Sequence, residues 1–257
     1  MLHYPPTEVH IIITALHTHK SPGPDKITAT ALRHLPLRAI THLTKIYNAC
    51  LRFQYFPTTW KTAHITAIPK PGKKVTSAEN HRPISLLDNM GKILERLVLN
   101  RLESKLDTPD RTQHAQFGFK RRHGTREALT RLTEHIKQNY QYKFHTVATF
   151  LNVAQAFDTV WHQDLLHKLK RLSIPNPYIH LLASYLQHRT FRARSGTSLS
   201  SIQPIIAGVP RDPYSPQHCI QFTPKIYPYC LTANTVSIQT TLSYIPATST
   251  STSHAST

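Results

Sequence analysis

Hydrophobic and polar positions alternate along the chain with two periods, and they predict a mixed α/β fold. Val9 to Leu16 is a short apolar run that predicts a helix, which the string Lys20 to Asp25 stops with two prolines around a glycine. Within Leu37 to Leu51, Ile40, Leu43, Tyr47 and Cys50 recur at three- and four-residue spacing, which is helical, and Phe56-Pro57 ends the element. Trp60 to Ile68 changes to period two. Ala63, Ile65 and Ala67 take one face and Thr62, His64 and Thr66 the other, as in a half-exposed strand. Pro69 to Lys74 follows as a basic turn. Met90, Ile93, Leu94, Leu97, Val98 and Leu102 mark an amphipathic helix, and Leu129, Leu132 and Ile136 another. Phe144, Thr146 and Ala148 to Leu151 predict a buried strand that runs out at Asn152. Two helices follow, Asp164 to Leu172 and Tyr178 to Leu186, separated by Pro175 and Pro177. Phe191 to Ile206 reads as a strand pair turning at Ser195-Gly196.

Charge narrows the class. Lys and Arg number 31 against 13 acids, a net charge of +18 in 257 residues. The basic residues are spread over element-forming segments, which points to a polyanionic partner, RNA or DNA. Cys50, Cys219 and Cys230 have no pairing pattern, as in a reducing compartment. No apolar run reaches the roughly 20 residues of a membrane span. Met1 is followed by His3, Pro5 and Pro6, which is no leader pattern, so the expected location is cytoplasm or nucleus. His17 and His19 have no nearby cysteine pair, so no zinc site is expected. No phosphate-loop glycine pattern or nucleophile elbow is present, and no small-molecule cofactor is implied.

Six short strings then fall in order. They are Lys-Ser-Pro-Gly-Pro-Asp at residues 20–25, His-Arg-Pro-Ile-Ser-Leu at 81–86, Gln-Phe-Gly-Phe-Lys at 116–120, His-Gly-Thr at 123–125, Phe-Leu-Asn-Val with Ala-Phe-Asp between 150 and 158, and Gly-Val-Pro at 208–210. Together they resemble the reverse transcriptases of non-LTR retrotransposons of the jockey type, over about residues 8 to 210. The resemblance implies a right-hand polymerase fold. Residues 1–60 would be a helical region ahead of the fingers, 61–142 the fingers, 143–210 a partial palm and 211–257 a tail, with the thumb absent. Because the likeness already reaches the first residues, Met1 need not be the natural start.

The resemblance also implies site roles. The family's chemistry is phosphoryl transfer assisted by two divalent ions roughly 4 Å apart, and Mg²⁺ wants anionic oxygens. The first of the family's three aspartates stands where this chain has Asn152, and no counterpart of the other two follows. No catalytic set is therefore intact, and no bound Mg²⁺ is expected. Lys70 and Arg82 match basic fingers residues that hold an incoming triphosphate, and Phe157 the aromatic residue that closes against the sugar 2′-position. Asp158 lies outside the catalytic triad and reads as structural, a cap before Trp161. Two further readings stay open: a noncatalytic nucleic-acid-binding protein, and a translated relic.

Beyond Arg211 the character changes. Prolines recur at 213, 216, 224 and 228, acids end at Asp212, and residues 248–257 are nearly all Ser and Thr. Such a segment cannot repay its ordering entropy and is expected not to fold. Restoring one base after the Pro210 codon permits codons that read Gln-Gly-Ser onward, as the family does, so the tail is expected to be out of frame. Sequencing the locus checks this. The alternate frame should read Gln-Gly-Ser directly after Gly-Val-Pro, and any other reading there ends the frameshift explanation.

Overall fold

A computed structural model describes residues 3–72, 76–77, 80–106, 124–146 and 160–209. The chain divides into two compact units, Met1–Thr112 with Gln155–Thr232, and Gln113–Ala154 with Ala233–Thr257.

The first unit opens with helix α1 (Pro6–Thr14), which starts on a proline whose missing N–H costs nothing in a first helical turn. Val9, Ile12 and Ile13 form its buried stripe. Helix α2 (Ala29–Arg33) carries no periodic signal. Its start is made by Thr28, whose hydroxyl accepts from the Ala31 N–H at 3.1 Å. Helix α3 (Leu37–Arg52) buries Ile40, Leu43, Tyr47, Cys50 and Leu51, as its spacing requires. Helix α4 (Asn89–Leu106) is the centre of the core, with Ile93, Leu94, Leu97, Leu99 and Leu102 fully buried. These positions surround the helix, so more of it is buried than the one apolar face expected of an amphipathic helix. Helices α6 (His162–Arg171) and α7 (Asn176–Leu186) complete the helical layer. Tyr47, Phe56, Trp60 and Tyr185 join the layers as an aromatic cluster, with the Phe56 and Tyr185 rings edge-to-face at 5.0 Å.

The described sheet has five strands: β1 (Thr62–Pro69), β2 (His81–Leu86), β3 (Arg189–Ser195), β4 (Ser198–Leu199) and β5 (Gln203–Ile205). Their order is β2-β1-β3, and β4 and β5 both pair with β3. β1 and β2 are an antiparallel hairpin, whereas β1 and β3 run parallel, with Thr62 opposite Thr190 and Thr66 opposite Arg194. The strand pair expected over 191–206 is thus three short strands, beginning earlier, at Arg189. The alternation expected of β1 is only partly kept. Ala63 is buried but Ala67 is exposed, because Ala67 pairs with Pro83 near the hairpin's far end. Pro83 is tolerated because β2 lies at the sheet edge, where a missing N–H breaks no ladder.

In the second unit the described element is helix α5 (Thr125–Gln141), which was expected from its apolar spacing. Leu129 and Ile136 are nevertheless exposed on it. Its end is closed by the Phe144 N–H donating to Asn139 O, and by the Asn139 amide donating to Thr146 Oγ1 at 3.0 Å.

Candidate nucleic-acid interface

The loop Lys20–Asp25 is seated on the junction between β2 and α4. A Cβ on Gly23 would lie 2.4 Å from the Asp88 backbone N and 2.5 Å from the Leu87 carbonyl carbon. Gly23 is therefore needed for close approach of two backbones and not for its torsion angle. The Asp25 N–H donates to Asp88 Oδ1 at 3.0 Å, the Ile27 N–H to Asp25 Oδ1 at 2.9 Å, and the Asn89 amide to Ile27 O at 2.7 Å. Asp88 and Asn89 are both buried.

A cavity of about 540 Å³ lies between this loop and one face of the sheet. The loop lines it with Lys20 and Ser21, beside His19 just before them, the sheet with Thr66, Ile68, Ile84, Leu86 and Arg194, and α4 with Lys92. No acid lines it. Strand register explains the convergence. Ile68 pairs with Arg82, Thr66 with Ile84 and with Arg194, and His64 with Leu86 and with Arg192. Because side chains alternate, Arg82, Arg192 and Arg194 share the cavity's face. The His64 imidazole is held below its ordinary pKa by burial and then by Arg192 and Arg194, which is the electrostatic trace of that crowding. An arrangement of cations around a polar and apolar recess can hold phosphate oxygens against a base or sugar.

Of the sequence-derived site residues, Arg82 is exposed on this face and Lys70 follows directly on β1, its N–H donating to Asn80 O at 2.8 Å. Asn152, Phe157 and Asp158 lie outside the described residues, as does the strand expected before Asn152. The C-terminal flank of that segment is described, and it is joined to the Gly-Val-Pro string. Gly208 N donates to Val160 O at 3.0 Å, and His162 Nε2 is 2.7 Å from Gly208 O. Among the described residues no group of three or more His, Cys, Asp or Glu side chains is placed to hold a metal ion. No described helix is long and apolar enough to cross a membrane.

Sequence reasoning missed Lys92, Arg192, Arg194 and the Asp88 seat. The period-two spacing of Arg192 and Arg194 inside a strand was a signal for the first sheet pair. Nothing local marks Asp88.

The Asp88 carboxyl is pushed up from an ordinary 3.8 to about 6, first by burial and then by the Asp25 carboxyl, against the Asp25 N–H and Lys92, which pull it down. A raised carboxyl favours the protonated folded state. The stability it leaves intact is fully present below the unfolded value and is lost as the pH rises to about 6. Asp88→Asn keeps an oxygen acceptor for the Asp25 N–H and cannot ionise. Its melting temperature should match that of the unaltered protein near pH 4 and exceed it at pH 7, by the equivalent of about 2 kcal/mol. A gap independent of pH would refute this assignment.

Fold and face together define a mixed α/β domain with a cation-lined recess on one sheet face. The family described as reverse transcriptase (RNA-dependent DNA polymerase) matches residues 68–227. The chain belongs to this family. It is 45% identical over 204 residues to a probable RNA-directed DNA polymerase from transposon BS of Drosophila melanogaster. Identity is 43% over 204 residues to the RNA-directed DNA polymerase from mobile element jockey of the same fly. Each of these alignments covers 79% of this chain and 22% of the relative. A probable polymerase from transposon X-element is 40% identical over 208 residues, covering 81% of this chain and 23% of that protein. The chain thus spans less than a quarter of the length of these relatives, and the resemblance to jockey-type elements read from the motifs is the relationship found.

Proposed function

We propose that this chain is the reverse transcriptase domain of a non-LTR retrotransposon which has lost catalysis and keeps a weak, salt-dependent hold on RNA or DNA. In this reading residues 1–60 precede the fingers, 61–142 are the fingers and 143–210 part of the palm of a right-hand polymerase. Lys70 and Arg82 face the triphosphate and Phe157 the sugar, with Asp158 structural. The observation that carries binding is a recess lined by Lys20, Lys92 and Arg194, on a sheet face that Arg82 and Arg192 share.

The loss of catalysis rests on donor chemistry. Mg²⁺ would supply charge neutralisation at the attacking and leaving oxygens. Asn152 offers it a neutral amide oxygen, and no Asp or Glu stands among residues 213–257. The residues do not fit a resident ion pair, so no catalytic step is derived through one. Purified protein is expected to extend no primer on an RNA template with Mg²⁺ or Mn²⁺, and incorporation above a heat-killed control would overturn this. Asn152→Asp alone should not restore activity, because two carboxylates remain missing.

Binding is tested separately. Affinity for a single-stranded oligonucleotide should fall steeply with salt, because counterions are released from each neutralised phosphate. Arg82→Ala with Arg194→Ala should reduce the slope of log affinity against log salt by about 1.4. An unchanged slope would remove this face from the interface.

A further inference from the structure

A second basic surface lies on α3, built from residues that do not line the recess above. Arg38, Lys45 and Arg52 are spaced by seven residues, two helical turns apart, so they share one side of the helix, with His42 beside them. All four are exposed, and α3 contains no Asp or Glu. From Arg38 to Arg52 the rise is roughly 21 Å, the reach of a few nucleotides of extended strand. Lys45 and Arg52 also line an open groove of about 600 Å³ with His3, Asn48 and Gln54.

The stripe ends on aromatic rings. Phe53 is 68% exposed and Tyr55 49%. Rings two residues apart and this exposed offer flat apolar faces to a ligand. The Arg52 guanidinium, which lines the groove, also sits 4.6 Å from the Phe53 ring centroid. The turn that carries the rings is held by backbone bonds: Phe53 N donates to Ala49 O, Gln54 N to Leu51 O and Tyr55 N to Cys50 O. Buried Phe56 anchors it next in sequence, its N–H donating to Ser184 Oγ at 2.9 Å. The rings are thus displayed on a fixed turn, and ordering them on binding costs little.

We propose that this side of α3 and the turn Arg52–Tyr55 form a second contact for single-stranded nucleic acid. Arg38, Lys45 and Arg52 track phosphates, and Phe53 and Tyr55 stack bases. A cationic track ending in ring faces is the combination that binds single strands with little sequence preference. An acidic protein segment would use the charges and leave the rings without a role.

The test uses the full chain and a labelled oligouridylate of about twelve nucleotides, read by fluorescence anisotropy at low salt. Lys45→Glu with Arg52→Glu should weaken binding roughly tenfold or more. Phe53→Ser with Tyr55→Ser should weaken it by a similar factor while leaving melting temperature unchanged. Ultraviolet cross-linking should place uridine on the tryptic peptide 53–61. The Arg82→Ala/Arg194→Ala protein is measured in parallel. A loss there, with affinity within about twofold of normal in both α3 variants, would overturn this proposal and leave the recess standing. Equal displacement by polyglutamate, with no cross-link at 53–61, would also overturn it. So would preferential capture by vesicles containing phosphatidylserine.

Discussion

Gly23→Ala is expected to destabilise the protein by about 1–3 kcal/mol, read as a lower denaturant midpoint with an unchanged slope. The new methyl would lie 2.4 Å from the Asp88 backbone nitrogen and 2.5 Å from the Leu87 carbonyl carbon. Both atoms belong to the chain leading from β2 into α4, whose next residues are buried in the core, so they cannot yield as a side-chain tip would. The loop must lift instead, breaking the Asp25 N–H bond to Asp88 and the Asn89 bond to Ile27 O. The same motion moves Lys20 at the rim of the basic recess, so oligonucleotide affinity should fall with stability. Gly196→Ala is the control. Gly196 has φ of +60° and nothing within 4 Å of its Cβ position, so it carries only the torsional cost of about 1 kcal/mol. Equal effects of the two substitutions would mean that the loop is not seated on Asp88.

Arg189→Met should have the opposite sign and stabilise the protein by about 1–2 kcal/mol. Arg189 is 1% exposed. Its Nη1 donates to Tyr185 O at 3.3 Å and its guanidinium stands 4.5 Å from the Tyr185 ring, but Nε and Nη2 have no partner. Lys61, also buried, is pushed below its ordinary pKa by burial and then by Arg189. A buried cation beside another, with two donors unsatisfied, carries desolvation that one hydrogen bond and one ring contact do not offset. Methionine has a similar length and adapts to the same channel. Chemical denaturation decides the matter. A loss of stability in Arg189→Met would show that the guanidinium is paired in solution.

Both substitutions lie where local pattern is uninformative. The position of Gly23 is readable as a turn, because prolines flank it, but the backbone that forbids a side chain there comes from some sixty residues later, at Leu87 and Asp88. Arg189 lies ahead of the strand predicted from Phe191, yet it is the first residue of β3 and is buried with its guanidinium over the Tyr185 ring. The helix α2 went unseen since five residues are too few to show a period, and β2 because Pro83 argues against a strand until its edge position is known.

The sequence by itself determined the family, through six strings in order, and most of the helices, through apolar residues repeated at three and four. It also determined the donor at position 152, since identity alone decides whether a carboxylate is available. Tertiary structure alone decided which cations converge. β1 and β3 are about 128 residues apart in sequence where Thr62 and Thr190 meet at 3.0 Å, and their parallel register is what sets Arg192 opposite His64 and Arg194 opposite Thr66, on the face that Arg82 shares. Sequence periodicity reports which side of its own element a residue occupies. It carries no information about which element will lie alongside, because that depends on a core assembled from the whole chain, here around α4.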